Sequence, residues 1–204
     1  MNVAVLASGS GTNLQALIDA QSGWDLGPAH LVVVGVNVDG CGALLRAEAA
    51  GIPTFVLEHG AFPSREAFDA ALVEELRGRA VELVVLAGFM RLLSATFLDA
   101  FPGRVINVHP SLLPAFPGVA SQAQAVEHGV KVSGCTVHFV DRGTDSGPII
   151  AQTAVPVNDD DDDESLRLRI LDEEHRLLPA VVRAIAENRV TVVGRRVRVT
   201  PRRG

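Results

Sequence analysis

Asn2-Val3-Ala4-Val5-Leu6-Ala7-Ser8-Gly9-Ser10-Gly11-Thr12-Asn13-Leu14 reads as a buried strand, a glycine-rich turn and the first turn of a helix. The unbroken apolar run at residues 3–7 is the pattern of a strand covered on both faces. It recurs at residues 31–37, 83–87 and 105–108, each rich in Val or Ile and bounded by Gly, Asn or Asp. Between these runs lie segments of helical spacing, at residues 13–20, 43–50, 64–78 and 94–100. Strand alternating with helix predicts an α/β fold: a doubly wound, mostly parallel sheet flanked by helices.

Beyond His109 the rhythm changes. A proline-rich loop and a short helix at residues 122–127 precede two alternating strands, residues 135–140 and 149–155, which are expected to extend the sheet with antiparallel pairs. The acidic run from Asp159 to Glu164 then opens a long closing helix, whose Leu166, Ile170, Leu171, Leu177, Leu178, Val181, Val182 and Ile185 share one face. Acids suit the positive end of a helix, and Asp161 with Glu164 has the capping-box offset. The tail, residues 189–204, alternates Val and Arg around Gly194 and forms either a hairpin or a frayed end. With no repeat and no linker composition, residues 1–204 are read as one domain.

The 204 residues are 48% hydrophobic and 21% charged, enough to bury a substantial core. The formal charge of -6 resides in the single acidic run, and no basic stripe suggests a nucleic-acid surface. Two cysteines, Cys41 and Cys135, are too few for a disulfide framework and lack metal-ligand spacing. The first apolar run is too short to span a membrane or serve as a signal peptide. A soluble, reduced, cytoplasmic protein without a metal, a nucleic-acid partner or a membrane is expected.

The turn containing Gly9 and Gly11 exposes backbone N–H groups at a helix N-terminus, which suits a phosphate. It lacks the lysine of a nucleotide P-loop and the third glycine of a dinucleotide fingerprint. In Val105-Ile106-Asn107-Val108-His109-Pro110-Ser111-Leu112-Leu113-Pro114, strand alternation puts Asn107 and His109 on one face at the end where open α/β sheets bind ligands. An amide beside an imidazole stabilises an oxyanion and shuttles a proton. Asp145 lies in a loop between the two later strands, and a carboxylate near His109 would favour the imidazolium. Thr136 and His138 are possible neighbours of this site, His138 facing either the cleft or the core.

Ala7-Ser8-Gly9-Ser10-Gly11-Thr12-Asn13-Leu14, Ala87-Gly88-Phe89-Met90-Arg91-Leu92-Leu93, Asn107 to Pro114, and Asp145-Ser146-Gly147-Pro148 together resemble the phosphoribosylglycinamide formyltransferases, collinearly from Asn2 to about Glu187. The resemblance implies a formyltransferase-like fold with a Rossmann-like N-terminal half. It implies a phosphate-binding half at about residues 1–100 and a folate and catalytic half at about residues 101–188. The implied reaction moves a formyl group from 10-formyltetrahydrofolate, as co-substrate, to the amine of 5'-phosphoribosylglycinamide, in a monomer or homodimer. Its implied catalytic residues are Asn107, His109 and Asp145. Gly11, Thr12, Asn13 and Glu174 are implied to hold the phosphate and glycinamide. Arg65, Met90, Arg91, Leu92, Leu93, Asn107, Val140, Asp141 and Asp145 are implied to line the folate pocket.

The chain departs from that pattern in two places, one of them Val36-Asn37-Val38-Asp39-Gly40-Cys41, slightly irregular and without evident consequence. After Phe116-Pro117-Gly118, the family's histidine-bearing stretch is replaced by Val119-Ala120-Ser121-Gln122-Ala123-Gln124, expected to form a mobile loop over the site. Methionyl-tRNA formyltransferases and formyltetrahydrofolate deformylases share the Asn-x-His core but carry added domains, and are disfavoured on that ground. A silent binding module is disfavoured by the intact Asn107, His109 and Asp145.

Overall fold

The computed structural model describes residues 1–202. Seven strands form one sheet in the order β3-β2-β1-β4-β5-β6-β7. These are β1 (Asn2–Ala7), β2 (His30–Val36), β3 (Thr54–Val56), β4 (Leu83–Leu86), β5 (Val105–His109), β6 (Val132–Phe139) and β7 (Ile149–Pro156). The first five run parallel, and β6 and β7 add the expected antiparallel edge. The short β3 escaped the sequence reading because its three residues are too few to show a period.

Alternation along β1 explains why the apolar run is continuous. Val3, Val5 and Ala7 enter one core with Leu14, Leu17 and Ile18 of α1 (Thr12–Ser22) and Ala43, Leu44 and Ala47 of α2 (Gly42–Ala49). Ala4 and Leu6 enter the opposite core with Phe68, Leu72 and Leu76 of α3 (Arg65–Arg77) and Phe97 and Leu98 of α4 (Ala95–Ala100). Each strand residue is therefore buried whichever way it points. α5 (Ser121–Glu127) and the long α6 (Asp163–Ala186) complete the helices. α6 spans two clusters, packing Leu166 and Ile170 near α5 and Leu178, Val181, Val182 and Ile185 under β1 and α1.

The cap of α6 is displaced by one residue from its expected position. Asp162 accepts from the Ser165 amide at 2.7 Å while Ser165 Oγ accepts from the Asp162 amide at 3.0 Å, closing a reciprocal box. Asp161 is not available for capping because Arg169 and the Asn158 amide occupy its carboxylate. The tail folds as a hairpin, β8 (Val190–Val193) and β9 (Arg196–Val199), joined by Gly194-Arg195 with Gly194 at φ 61°. Val190 and Val197 pack on the main core, so the tail does not fray there; its last two residues lie outside the described residues. Among the described residues, no helix is long and apolar enough to cross a membrane.

Gly147 sits where β7 approaches the end of β6. A Cβ added there would stand 1.7 Å from the Phe139 carbonyl oxygen. Gly147→Ala must push two backbones apart, and is expected to lower unfolding stability by about 2 kcal/mol or more in urea titrations. An unchanged urea midpoint would show that this approach is not a constraint.

Candidate active site

β1 is the strand from which the order runs outward in both directions, to β2 on one side and β4 on the other, and a crevice opens beyond their C-terminal ends. Ser8 closes the floor of that crevice. Its amide donates to the Gly88 carbonyl at 3.0 Å, its hydroxyl donates to Asn37 Oδ1 at 2.6 Å, and the same oxygen accepts from the Met90 amide at 2.9 Å. Gly11, at φ 73°, turns the chain into α1, and Ala43 packs so closely that a Cβ would meet its Cα at 2.5 Å. α1 thus starts with no side-chain cap and no acid in its first turn.

A cavity of about 930 Å³ extends from here. Of the residues singled out in the sequence, Asn13, Arg65, Met90, Arg91, Leu92, Leu93, Asn107, His109, His138, Val140, Asp141, Asp145 and Glu174 line it. Thr12 instead lines a separate hollow of about 400 Å³ with Gln15, Arg46 and His175, and Gly11 is buried beneath the turn. Thr136 is fully buried and lines neither; its hydroxyl binds the backbone of the proline-rich loop. The stretch that replaces the histidines is also at the cavity, through Val119, Ala120, Ser121 and Gln122. Its second half is the first turn of α5, anchored by a Ser121 Oγ bond to the Pro110 carbonyl at 3.2 Å, so the expected loop is partly helix.

Four polar side chains meet at the ends of β5 and β6. The antiparallel pairing sets Asn107 opposite His138 and His109 opposite Thr136. Between His138 and Val137 the β6–β7 register shifts, with Ile150 as the extra residue on β7, a local irregularity of the kind that re-aims side chains beside active sites. His138 Nδ1 is 2.9 Å from the Phe139 carbonyl and so carries the proton, leaving Nε2 to accept from Asn107 Nδ2 at 3.3 Å. Burial first, and the nearby His109 as a lesser cause, push the His138 pKa down, in keeping with a neutral ring. One Asn107 amide hydrogen is spent on His138 and the other remains for a ligand.

His109 faces acceptors at both ring nitrogens. Nε2 lies 2.9 Å from the Phe116 carbonyl, and Nδ1 lies 3.4 Å from Asp145 Oδ2. Asp145 holds a left-handed backbone at φ 49°, a conformation aspartate tolerates better than most residues. Its Oδ2 also accepts from the Gly118 amide at 2.7 Å, while Oδ1 stands 3.7 Å from His138 Nε2. The sequence pointed to the three side chains but not to the Gly118 amide or the Phe116 carbonyl, since backbone groups leave no residue signature; the Phe-Pro-Gly turn was the available signal. Ser8 and Asn37 were also missed as the polar staple of the crevice.

Across the cavity, Glu174 is 5% exposed and its Oε2 accepts from Asn13 Nδ2 at 2.7 Å. Asn13 Oδ1 is buried and has no partner among the described residues. This carboxyl and amide form a recess able to receive an amine or hydroxyl. Among the described residues no group of three or more His, Cys, Asp or Glu side chains is arranged to hold a metal ion.

Residues 1–182 match the family model described as formyl transferase. A phosphoribosylglycinamide formyltransferase of Mycobacterium tuberculosis is 51% identical over 193 residues, which cover 95% of this chain and 88% of that protein. The trifunctional purine biosynthetic protein adenosine-3 of Drosophila melanogaster is 53% identical over 178 residues, 87% of this chain but only 13% of that longer protein. The crystal structure of glycinamide ribonucleotide transformylase 1 from Symbiobacterium toebii superposes with a TM-score of 0.96 at 52% identity, covering 98% of this chain and 94% of that one.

Burial pushes the Glu174 carboxyl up to about 7, against the lowering effect of the Asn13 bond. The unfolded chain loses this proton from roughly pH 4.3 upward while the folded protein keeps it to about 7, so stability falls as pH rises through that window and levels off above it. Glu174→Gln has no such proton to lose. Relative to the parent, it is expected to gain stability between about pH 5 and 7, by on the order of 3 kcal/mol at most. Urea unfolding at three pH values across the window checks this, and a pH-independent difference would contradict the burial effect.

Proposed function

The chain belongs to the formyl transferase family, and we propose that it moves the formyl group of 10-formyltetrahydrofolate onto the amine of 5'-phosphoribosylglycinamide, a step of purine synthesis. The observation that carries this reading is the convergence of Asn107, His109, His138 and Asp145 on one cavity that also reaches Asn13 and Glu174. The strong likeness to a phosphoribosylglycinamide formyltransferase over nearly the whole of both chains supports the choice of substrate. Small molecules are the partners in this reading, with the reaction taking place in the cytoplasm.

The residues present fit a folate. Met90, Leu92 and Val119 are 71%, 61% and 80% exposed at the cavity, an apolar surface suited to cover by a planar ring system. Arg65 and Arg91 line the same cavity and supply cations for carboxylates at the far end of such a ligand. Met90, Leu93, Val140 and Asp141 complete this wall. The folate supplies the formyl group; the remaining chemistry falls to the chain's own side chains.

Gly11, Thr12 and Asn13 present the uncapped N-terminus of α1 to the phosphate. Glu174 and the free Asn13 Oδ1 hold the glycinamide, so that its neutral amine faces the formyl carbon. The second Asn107 amide hydrogen meets the negative charge that develops on the formyl oxygen. As the new C–N bond forms and the formyl bond to the folate nitrogen breaks, His109 Nδ1, 3.4 Å from Asp145 Oδ2, passes a proton to that departing nitrogen and takes back the one released by the attacking amine, directly or through water. Asp145 Oδ2 faces Nδ1 and, by accepting from the Gly118 amide, closes the turn beneath the ring.

The test is consumption of 10-formyltetrahydrofolate followed by absorbance with and without 5'-phosphoribosylglycinamide. Consumption that requires the ribonucleotide supports the transferase; consumption without it indicates a deformylase, and ligand-induced thermal stabilisation with no consumption indicates a silent binding module. Asp145→Asn is expected to lower kcat by a factor of about 100 or more while the protein stays folded. Wild-type turnover in that variant would remove Asp145 from the mechanism. Thr12→Ala is expected to raise KM for the phosphosugar and leave KM for the folate unchanged, and the opposite pattern would count against the phosphate turn.

A further inference from the structure

The hydrogen bonds around His109 lead away from the cavity into a buried relay. Nε2 is 2.9 Å from the Phe116 carbonyl, which must accept, so this nitrogen donates. Phe116 offers that oxygen from a left-handed backbone at φ 51°, a conformation that bulky residues rarely adopt. Contacts elsewhere must hold the turn.

Ser111, two residues beyond His109, is fully buried. Its hydroxyl donates to the Ala115 carbonyl at 2.5 Å and lies 3.3 Å from the Phe116 carbonyl. The Ser111 carbonyl in turn accepts from Thr136 Oγ1 at 2.6 Å. The direction of the Thr136 hydroxyl is set by its other partners. The Leu113 amide at 3.1 Å and Gln152 Nε2 at 2.9 Å both donate into it, so its single proton goes to Ser111. Gln152 Nε2 also donates to the Leu113 carbonyl at 2.9 Å, bracing the same loop from the exposed side of β7.

We infer that Ser111 is a positioning residue for His109. Its hydroxyl closes the turn at residues 111–116 so that the Phe116 carbonyl meets Nε2, and this directs Nδ1 toward Asp145. Ser111 lines no part of the cavity and acts only through the imidazole. The inference rests on the formyl-transfer reading and assigns Ser111 an effect on turnover and not on substrate binding. Without the hydroxyl the Ala115 carbonyl loses its donor, Phe116 is free to relax from its left-handed backbone, and the ring samples its reacting orientation less of the time.

Ser111→Ala is expected to lower kcat about ten-fold with KM for both substrates within about two-fold of the parent. In a His109→Ala background the same change is expected to have no further effect on residual turnover, because the group it orients is gone. Gln152→Ala, at an exposed position outside the buried turn, is expected to lower kcat about three-fold and to be equally silent in that background, so the test stands even if Ser111→Ala fails to fold. A raised KM with kcat intact, or losses that multiply in the double variants, would overturn the positioning role. Parental enzyme that turns over in the same assay alongside unaffected variants overturns Ser111 alone. Parental enzyme with no ribonucleotide-dependent turnover overturns the formyl-transfer reading and this inference with it.

Discussion

Strands covered on both faces leave no lateral surface for polar chemistry. In β1 from Val3 onward, and in β4 and β5, the side chains before the last residues enter one of two apolar cores, so functional groups emerge where the strands stop. That constraint ties Ser8 to the Met90 segment, 82 residues on, and brings that segment and His109 to one cavity. The turns after these strands carry their own backbone constraints, with Gly11 and Gly88 at positive φ and the proline-rich loop tied down by Thr136.

The local electrostatics follow from depth. Asn107, His109, His138 and Asp145 lie within a few ångströms of each other, yet each ring faces a different set of partners. His138 spends its proton on a backbone carbonyl and is held neutral by burial, which lets it orient an amide without competing for the Asp145 charge. Glu174 illustrates the same rule with the opposite sign: burial outweighs the Asn13 bond and the more distant Arg167 charge, and its carboxyl keeps a proton near neutrality. The cavity thus joins a wall where Asp145 accepts from the Gly118 amide to a wall whose acid is easily protonated.

Much of this was legible in the sequence because a parallel sheet writes itself in long apolar runs. The strands β1, β2, β4 and β5, the order of helices between them and the pairing of Asn107 with His109 all follow from periodicity and from the ligand-binding end of such sheets. Besides the Ser8–Asn37 staple, three features were not legible. β3 is too short to show a pattern, the cap of α6 depends on Arg169 having already engaged Asp161, and the contacts of Asp145 depend on the Gly118 amide from a loop 27 residues earlier. The last two are tertiary choices among several chemically equivalent candidates. Thr136 shows the converse: alternation correctly set it on the face of His138, but the proline-rich loop covers that part of the strand and claims its hydroxyl.

The C-terminal hairpin bears on how molecules meet one another. An open sheet ends in strands whose outer amides and carbonyls are unpaired, a template on which other chains add. At one end of this sheet the edge is β3, three residues long and too short to seed such addition. At the other end β7 is eight residues long, but the hairpin packs beside it with Val197 half-buried against the core and Arg195 donating to the Ser146 carbonyl at 2.7 Å. The hairpin at residues 190–199 therefore lies against the longer of the two edge strands, and undocking it would leave that edge more open to pairing in a crowded solution.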